Sequence, residues 1–225
     1  MSKKHFQEKK NDRSGKAAQA GKAAHIAAEE RLKQHGYVIP RDTTTKEDKQ
    51  GRDILIQDST NSSGALVSFF KKYGEVVSVD AKSAKKKIPK GQTRATTQVS
   101  DTWTALELQN VHGGPGWLRP KKADLILFVT NSGQQIVADR QEVLEWLIKN
   151  SPVSMLFEKL KKVGWSGLKK GEEYVEYSGD AEYKLYTRRF KYRNQDGSPK
   201  EDLLTYVTYE DIKALPSTVI LDKKA

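Results

Sequence analysis

The chain has 225 residues, which is enough for one large domain or for a core domain with an appendage. Only 36% of the residues are hydrophobic and 31% are charged, which indicates a polar protein with a modest core. No apolar run reaches the length of a membrane span, and the N-terminus lacks the apolar stretch of a secretory signal. We therefore expect a soluble, cytoplasmic protein that has no membrane partner.

The composition also restricts the metal chemistry. Cysteine is absent and there are four histidines, which argues against disulfides and thiolate or zinc sites and leaves oxygen ligands for hard cations such as Mg²⁺. The 40 lysines and arginines exceed the 29 acidic residues and give a net charge of +11. Such an excess is typical of proteins that bind polyanions, so DNA is an expected partner.

The first half of the chain predicts a helix followed by strands. Residues 1–15 are polar and basic and are interpreted as a mobile arm. The alanine-rich stretch "GKAAQAGKAAHIAAEERLKQHGY" predicts a helix that stops at Gly36. The stretches "YVIP", "RDILIQ" and "EVVSVDAKS" predict strands, whereas "ALVSFFKKYGE" fits either a strand or a helix.

The second half continues this alternation up to about residue 150. "TTQVSDTWTALELQNV" predicts a strand that passes into a helix, and "KADLILFVT" predicts a buried strand. "IVADRQEVLEWLIKN" predicts a short strand and then a helix capped by Asp139. Residues 16–150 are thus expected to form an α/β core with a mixed central sheet flanked by helices. Residues 151–225 predict a small, mostly β C-terminal extension, which begins with a helix at Ser151 and continues as a β-ribbon.

The stretch "VVSVDAKS" contains an unusual pair of charges. Successive strand residues point to opposite faces, so Val77, Val79 and Ala81 share one face while Asp80 and Lys82 share the other. A solvated charge pair at a strand end is one interpretation. The other is a metal-binding carboxylate and a charge-stabilising ammonium mounted on a rigid strand. Asp53, which opens an earlier strand, would supply a second carboxylate.

Asp53 followed by Asp80-Ala81-Lys82 resembles the PD-(D/E)XK nuclease superfamily, over roughly residues 16–148. The resemblance implies a restriction-endonuclease-like core and a metal-dependent DNA endonuclease that hydrolyses phosphodiester bonds with a metal-activated water. It implies that Asp53, Asp80 and the Ala81 carbonyl bind Mg²⁺, with Mn²⁺ as a permitted substitute, and that Lys82 stabilises charge at the attacked phosphate.

The first predicted helix offers a further candidate. Gly21, His25 and Gly36 fit the spacing of a helix motif in this superfamily, with histidine at the functional position as in its RecB-type branch. His25 is therefore a candidate catalytic residue, and Glu29, on the same helix face, is a candidate carboxylate. A helix histidine that faces solvent or packs on the sheet is the alternative, in which neither residue completes the site. Asp124 is interpreted as a strand-end acid rather than a ligand.

Two basic clusters are candidates for contacts with DNA phosphates. They are the run Lys85, Lys86, Lys87, Lys90 and Arg94, and the ribbon residues Arg188, Arg189 and Lys191. A non-catalytic nucleic-acid-binding protein would use the same residues, with Asp80 and Lys82 merely paired, and a scaffold for an acidic protein partner is a third interpretation. A homodimer is one arrangement that the sequence allows.

Overall fold

The computed structural model describes residues 16–44, 52–59, 64–84, 101–109, 116–118, 123–151, 153, 185–193 and 199–222. For residues 16–18, 185–193 and 199–202 it describes the backbone alone. The chain divides into two compact units. The first unit comprises Met1–Ala84, Asp124–Val137 and Val219–Ala225, and the second comprises Lys85–Ala123 and Ala138–Thr218.

The first unit is built on a mixed sheet with the strand order β1-β2-β3-β5-β6-β9. The bounds are Tyr37–Val38 for β1, Ile54–Asp58 for β2, Val76–Ser83 for β3, Leu125–Val129 for β5, Gln135–Asp139 for β6 and Val219–Leu221 for β9. The pairs β1–β2, β2–β3 and β6–β9 are antiparallel, whereas β3–β5 is parallel. A turn at residues 130–134, closed by the Thr130 N–H donating to the Gln134 carbonyl at 2.9 Å, joins β5 to β6.

Helix α1 (Lys16–Gln34) packs against one face of this sheet. Its Ala28 and Leu32 have no exposed surface, because small and apolar residues recur at four-residue spacing along one side. The strands contribute alternate residues to the same cluster, namely Ile54 and Ile56 of β2, Val77, Val79 and Ala81 of β3, and Leu125 and Leu127 of β5. The intervening strand residues therefore point to the opposite face.

Glycines lie just beyond the C-terminal ends of α1 and of the short helix α2 (Val67–Tyr73). Gly36 has φ 88° and Gly74 has φ 99°, a left-handed conformation that glycine adopts without steric cost. The predicted stop at Gly36 is thus confirmed. Because α2 is helical and places Phe69 in the cluster of the first unit, the stretch that fitted either a strand or a helix is a helix.

The second unit contains a sheet of β4 (Trp103–Gln109), β8 (Pro199–Thr208) and β7 (Leu185–Arg193), in that order. Both neighbouring pairs are antiparallel. Helix α3 (Arg140–Asn150) begins at Asp139, whose Oδ1 accepts hydrogen bonds from the N–H groups of Gln141 and Glu142 at 2.8 and 3.2 Å. This confirms the predicted cap. Helix α4 (Tyr209–Lys213) follows β8 directly.

The mixed α/β class is confirmed, and two of the strand pairings join segments that are distant in sequence. The C-terminal strand β9 pairs with β6 in the sheet of the first unit, and β4 pairs with β8 across about a hundred residues of sequence. Trp103–Gln109 is strand throughout, in a segment where a strand passing into a helix was expected. No helix in the described part of the chain is long and apolar enough to cross a membrane.

Candidate metal-binding site

Asp53 and Asp80 lie on neighbouring antiparallel strands of the first unit. The β2–β3 register pairs Ile54 with Val79 and Leu55 with Ser78. Asp53 directly precedes Ile54 and Asp80 directly follows Val79, so an extension of this register by one step would place Asp53 opposite Asp80, and Asp53 is close enough to raise the pKa of Asp80. Directly opposite residues of an antiparallel pair project from the same face, so the two carboxylates share one face of the sheet.

Lys82 belongs to the same face. It lies two residues after Asp80 on β3, and its Nζ is 2.5 Å from Oδ1 of Asp80. Val77, Val79 and Ala81, which alternate with these charges, point into the cluster beneath α1. The strand therefore directs apolar side chains to the core and the acid and base to the other face, as its sequence predicts.

Asp80 is almost completely buried, with 1% of its surface exposed. Its Oδ1 lies 2.5 Å from Lys82 Nζ in an ion pair, and no hydrogen bond of regular geometry from the described part of the chain reaches either carboxylate oxygen. A buried carboxylate with few hydrogen bonds is costly in free energy. A cation that takes the place of the Lys82 ammonium beside Asp80 would offset part of this cost.

Burial raises the pKa of Asp80 from 3.8 to about 8, since water barely reaches the carboxylate. The Lys82 ammonium acts in the opposite direction and lowers this pKa, whereas the nearby Asp53 carboxylate raises it further. The pKa of Asp80 is raised overall because burial has the largest effect on it. Lys82 keeps 21% of its side-chain surface in solvent, so water screens its charge and weakens its opposing effect. Asp80 thus favours a proton or a cation at neutral pH.

Asp53, just before the start of β2, accepts two hydrogen bonds, one at its carboxylate and one at its backbone carbonyl. Its Oδ2 accepts from the Ala81 N–H at 3.2 Å, and its backbone carbonyl accepts from Thr43 Oγ1 at 3.3 Å. The N–H and C=O of one strand residue point to the same side of the strand, so the Ala81 carbonyl also lies on the Asp53 side. Asp53, Asp80 and the Ala81 carbonyl are thus the candidate oxygen donors of this site.

An oxygen donor set of this kind fits a hard divalent cation such as Mg²⁺ or Mn²⁺. Within the described ranges, no group of three or more histidine, aspartate, glutamate or cysteine side chains could hold a metal. The site offers two carboxylates, Asp53 and Asp80, with the Ala81 carbonyl as a third candidate ligand, and water would have to complete the coordination of a cation. Mg²⁺ is commonly bound through one or two carboxylates and keeps several waters.

His25 and Glu29 pair with each other on α1. The His25 Nε2 lies 3.0 Å from Glu29 Oε1, and both side chains are partly exposed. Helix α1 covers the sheet face that carries Val77, Val79 and Ala81, which is opposite to the face that carries Asp80 and Lys82. The participation of His25 or Glu29 in the site stays a prediction.

The basic clusters stay predictions as well. Lys85, Lys86, Lys87, Lys90 and Arg94 lie outside the described residues. Arg188, Arg189 and Lys191 lie on β7, where the register with β8 pairs Arg188 with Asp202 and Arg189 with Glu201. The acidic residues of β8 reduce the net positive charge of the ribbon. The prediction considered the basic residues of β7 alone and left these acids out.

Ser78 was not singled out by the sequence, yet it joins β3 to β5 beside the site. Its Oγ donates to Asp124 Oδ2 at 2.6 Å, and its N–H donates to the same oxygen at 2.9 Å. Asp124 is thus a strand-end acid, as predicted, with a specific partner. For Asp124, the sequence showed an acid immediately before an apolar run. It did not reveal that β3 and β5 are neighbours, so the partner of Asp124 could not be predicted.

No protein-family model matches the chain, and no curated protein or solved structure is significantly similar to it. The chemistry of the site is therefore inferred from the residues that form it.

Proposed function

We propose that the chain is a metal-dependent DNA endonuclease whose site is formed by Asp53, Asp80, Ala81 and Lys82 on a restriction-endonuclease-like core. The observation that carries the proposal is the pairing of β2 with β3 up to Ile54 opposite Val79, which brings Asp53 close to Asp80, whose Oδ1 lies 2.5 Å from Lys82 Nζ. Two carboxylates and an ammonium on one sheet face are the groups that metal-assisted phosphodiester hydrolysis requires.

Each residue has a distinct role in this proposal. Asp53, Asp80 and the Ala81 carbonyl would hold a divalent cation, which supplies Lewis acidity to the phosphate and lowers the pKa of a bound water. Asp80 binds the cation in its deprotonated form, so its raised pKa makes metal binding stronger toward alkaline pH. Lys82 exchanges its contact with Asp80 for the substrate and donates to the phosphate oxygens, where negative charge grows during attack.

The net charge of +11 supports DNA as the substrate, since lysine and arginine side chains that neutralise phosphates supply most of the affinity. Mg²⁺ is the proposed cation and Mn²⁺ a substitute, because both prefer oxygen ligands.

The first test is a comparison of cleavage and binding by matched variants. Wild type, Asp80→Asn and Lys82→Met are incubated with supercoiled, linear and single-stranded DNA in Mg²⁺, Mn²⁺ or EDTA. Controls are Asp222→Asn and Lys149→Met, which change an exposed acid and an exposed base elsewhere. We expect metal-dependent cleavage by wild type and both controls, and a loss of at least about 100-fold in both site variants. Binding to DNA, followed by fluorescence anisotropy, should persist.

A non-catalytic nucleic-acid-binding protein is the second candidate, and the 2.5 Å ion pair between Lys82 and Asp80 favours it because the two charges satisfy each other without substrate. In that case wild type binds DNA in a salt-dependent manner but cleaves none of the three substrates with either metal. Removing the negative charge in Asp80→Asn would then leave DNA binding unchanged or strengthen it.

A further inference from the structure

Ser78 and Asp124 are linked by a compact set of hydrogen bonds. Besides the two bonds from Ser78 to Asp124 Oδ2, the Asp124 N–H donates toward the Ser78 carbonyl at 3.0 Å and toward Ser78 Oγ at 3.1 Å. Ser78 is only 5% exposed. Hydrogen bonds to an ionised acceptor are stronger than neutral ones, and burial strengthens them further. We call this pair the Ser78–Asp124 clamp.

The clamp lies at the start of the parallel pairing that carries the site. The β3–β5 register runs from Val79 opposite Leu125 to Ser83 opposite Val129, so the clamp precedes its first pair. At the other end, the Ala84 N–H donates to the Val129 carbonyl at 2.9 Å. The strand segment that carries Asp80 and Lys82 is therefore fixed to β5 at both ends.

The other neighbour, β2, supports less of this segment. The described β2–β3 pairing ends at Ile54 opposite Val79, one residue before Asp80. Beyond this point the paired neighbour of β3 in the described sheet is β5. The placement of Lys82 relative to the two carboxylates depends on the β3–β5 register, because a one-residue slip turns a strand side chain to the other face.

We propose that Asp124 is a positioning residue, which acts through Ser78 to hold Asp80 and Lys82 in the geometry needed at the site. This inference rests on the proposed function. Asp124 touches neither substrate nor metal in this account. Its carboxylate fixes the Ser78 backbone and hydroxyl, and Ser78 shares its sheet face with Asp80 two residues further along.

The hydrogen bonds to Asp124 allow a positioning role to be distinguished from a direct chemical role of its carboxylate. Both hydrogen bonds from Ser78 end on one oxygen, Oδ2, so the amide oxygen of Asn can accept both. Asp124→Asn should therefore keep the clamp although it removes the charge, whereas Asp124→Ala should break it. A metal ligand or a general base at this position would be lost in both variants, because each of those roles needs the carboxylate.

The experiment compares Asp124→Asn, Asp124→Ala and Ser78→Ala with wild type, and uses Glu145→Ala as an exposed acid control. Mn²⁺-dependent cleavage is measured together with hydrogen exchange of peptides covering residues 76–84. We expect Asp124→Ala and Ser78→Ala to cleave about 10- to 100-fold more slowly and to exchange faster in this peptide. Asp124→Asn should stay within about threefold of wild type in both readouts.

The inference is overturned if Asp124→Asn loses as much cleavage as Asp124→Ala, or if a folded Asp124→Ala cleaves and exchanges like wild type. Thermal unfolding of each variant shows whether it is folded. If Asp124→Ala fails to fold, Ser78→Ala is compared with Asp124→Asn instead. The inference then requires Ser78→Ala to cleave more slowly and to exchange faster in residues 76–84 than Asp124→Asn. If wild type cleaves no DNA, the proposed function fails, and unchanged exchange of residues 76–84 in a folded Asp124→Ala is then the result that refutes the clamp.

Discussion

Replacing Asp80 by Asn should stabilise the protein at alkaline pH while removing the carboxylate on which the proposed site depends. Asp80 is 1% exposed, and burial raises its pKa to about 8. The folded protein therefore retains a proton on this carboxyl over a pH range in which the unfolded chain has released it. Stability contributed by the protonated group is fully present below about pH 4 and is lost as the pH rises toward 8. Asn carries no such proton, so the variant escapes this loss.

The magnitude follows from the shift. One proton linked to unfolding changes the free energy of unfolding by about 1.4 kcal/mol per pH unit. Between pH 5 and pH 8 the wild type would therefore lose at most about 4 kcal/mol relative to Asp80→Asn. Local relaxation and water penetration reduce the penalty of a buried charge, so we expect a relative gain for Asp80→Asn of about 2 kcal/mol.

The assay is urea unfolding of both proteins in EDTA at several pH values from 5 to 8. Only the change of the difference with pH is used, because pH-independent effects of the substitution, such as altered packing, cancel. Asp222→Asn, which changes an exposed acid, should run parallel to wild type. A pH-independent difference would mean that Asp80 does not retain a proton in the folded protein. A difference of opposite sign would mean that Lys82 controls the titration of Asp80 and lowers its pKa.

Three further changes test the packing around the two sheets by chemical unfolding. Gly116→Ala should destabilise by about 1–3 kcal/mol, because a Cβ there would clash with the Glu107 carbonyl oxygen, and a neutral result would contradict this contact. Leu32→Ala should cost about 2–5 kcal/mol, since Leu32 lies on the face of α1 that packs on the sheet and is fully buried; a cost under 1 kcal/mol would place it outside the core. Thr208→Ala should cost about 1 kcal/mol, because Thr208 Oγ1 accepts from the Asp211 N–H at 3.0 Å and caps α4; an unchanged stability would refute the cap.

Local signals in the sequence predicted local structure well. The alanine-rich stretch that ends before Gly36 is α1, and Asp139 caps α3, because helix propensity and capping depend on residues within a few positions. The neighbours of each strand were not predictable in this way. Pairing between β4 and β8, or between β6 and β9, is decided by packing between distant segments, and composition around Asn150 did not report it.

In the candidate site, too, the local features were predictable from the sequence and the contacts between distant segments were not. Alternation along β3 sufficed to put Asp80 and Lys82 on one face, away from the buried valines. The proximity of Asp53 to Asp80, and the hydrogen bond from the Ala81 N–H to Asp53, follow from the pairing of β2 with β3. The burial of Asp80, which sets the direction of its pKa shift, depends on the folded chain and cannot be predicted from the spacing of residues.

Calorimetric titration of Mn²⁺ into the protein at pH 8 tests the metal site without knowledge of the DNA that is recognised. We expect wild type and Asp222→Asn to bind the cation, while Asp53→Asn and Asp80→Asn each lose that binding, since both carboxylates are its ligands. Wild type that binds no Mn²⁺, or folded Asp53→Asn and Asp80→Asn proteins that bind it as tightly as wild type, would contradict the claim that Asp53 and Asp80 form one metal site.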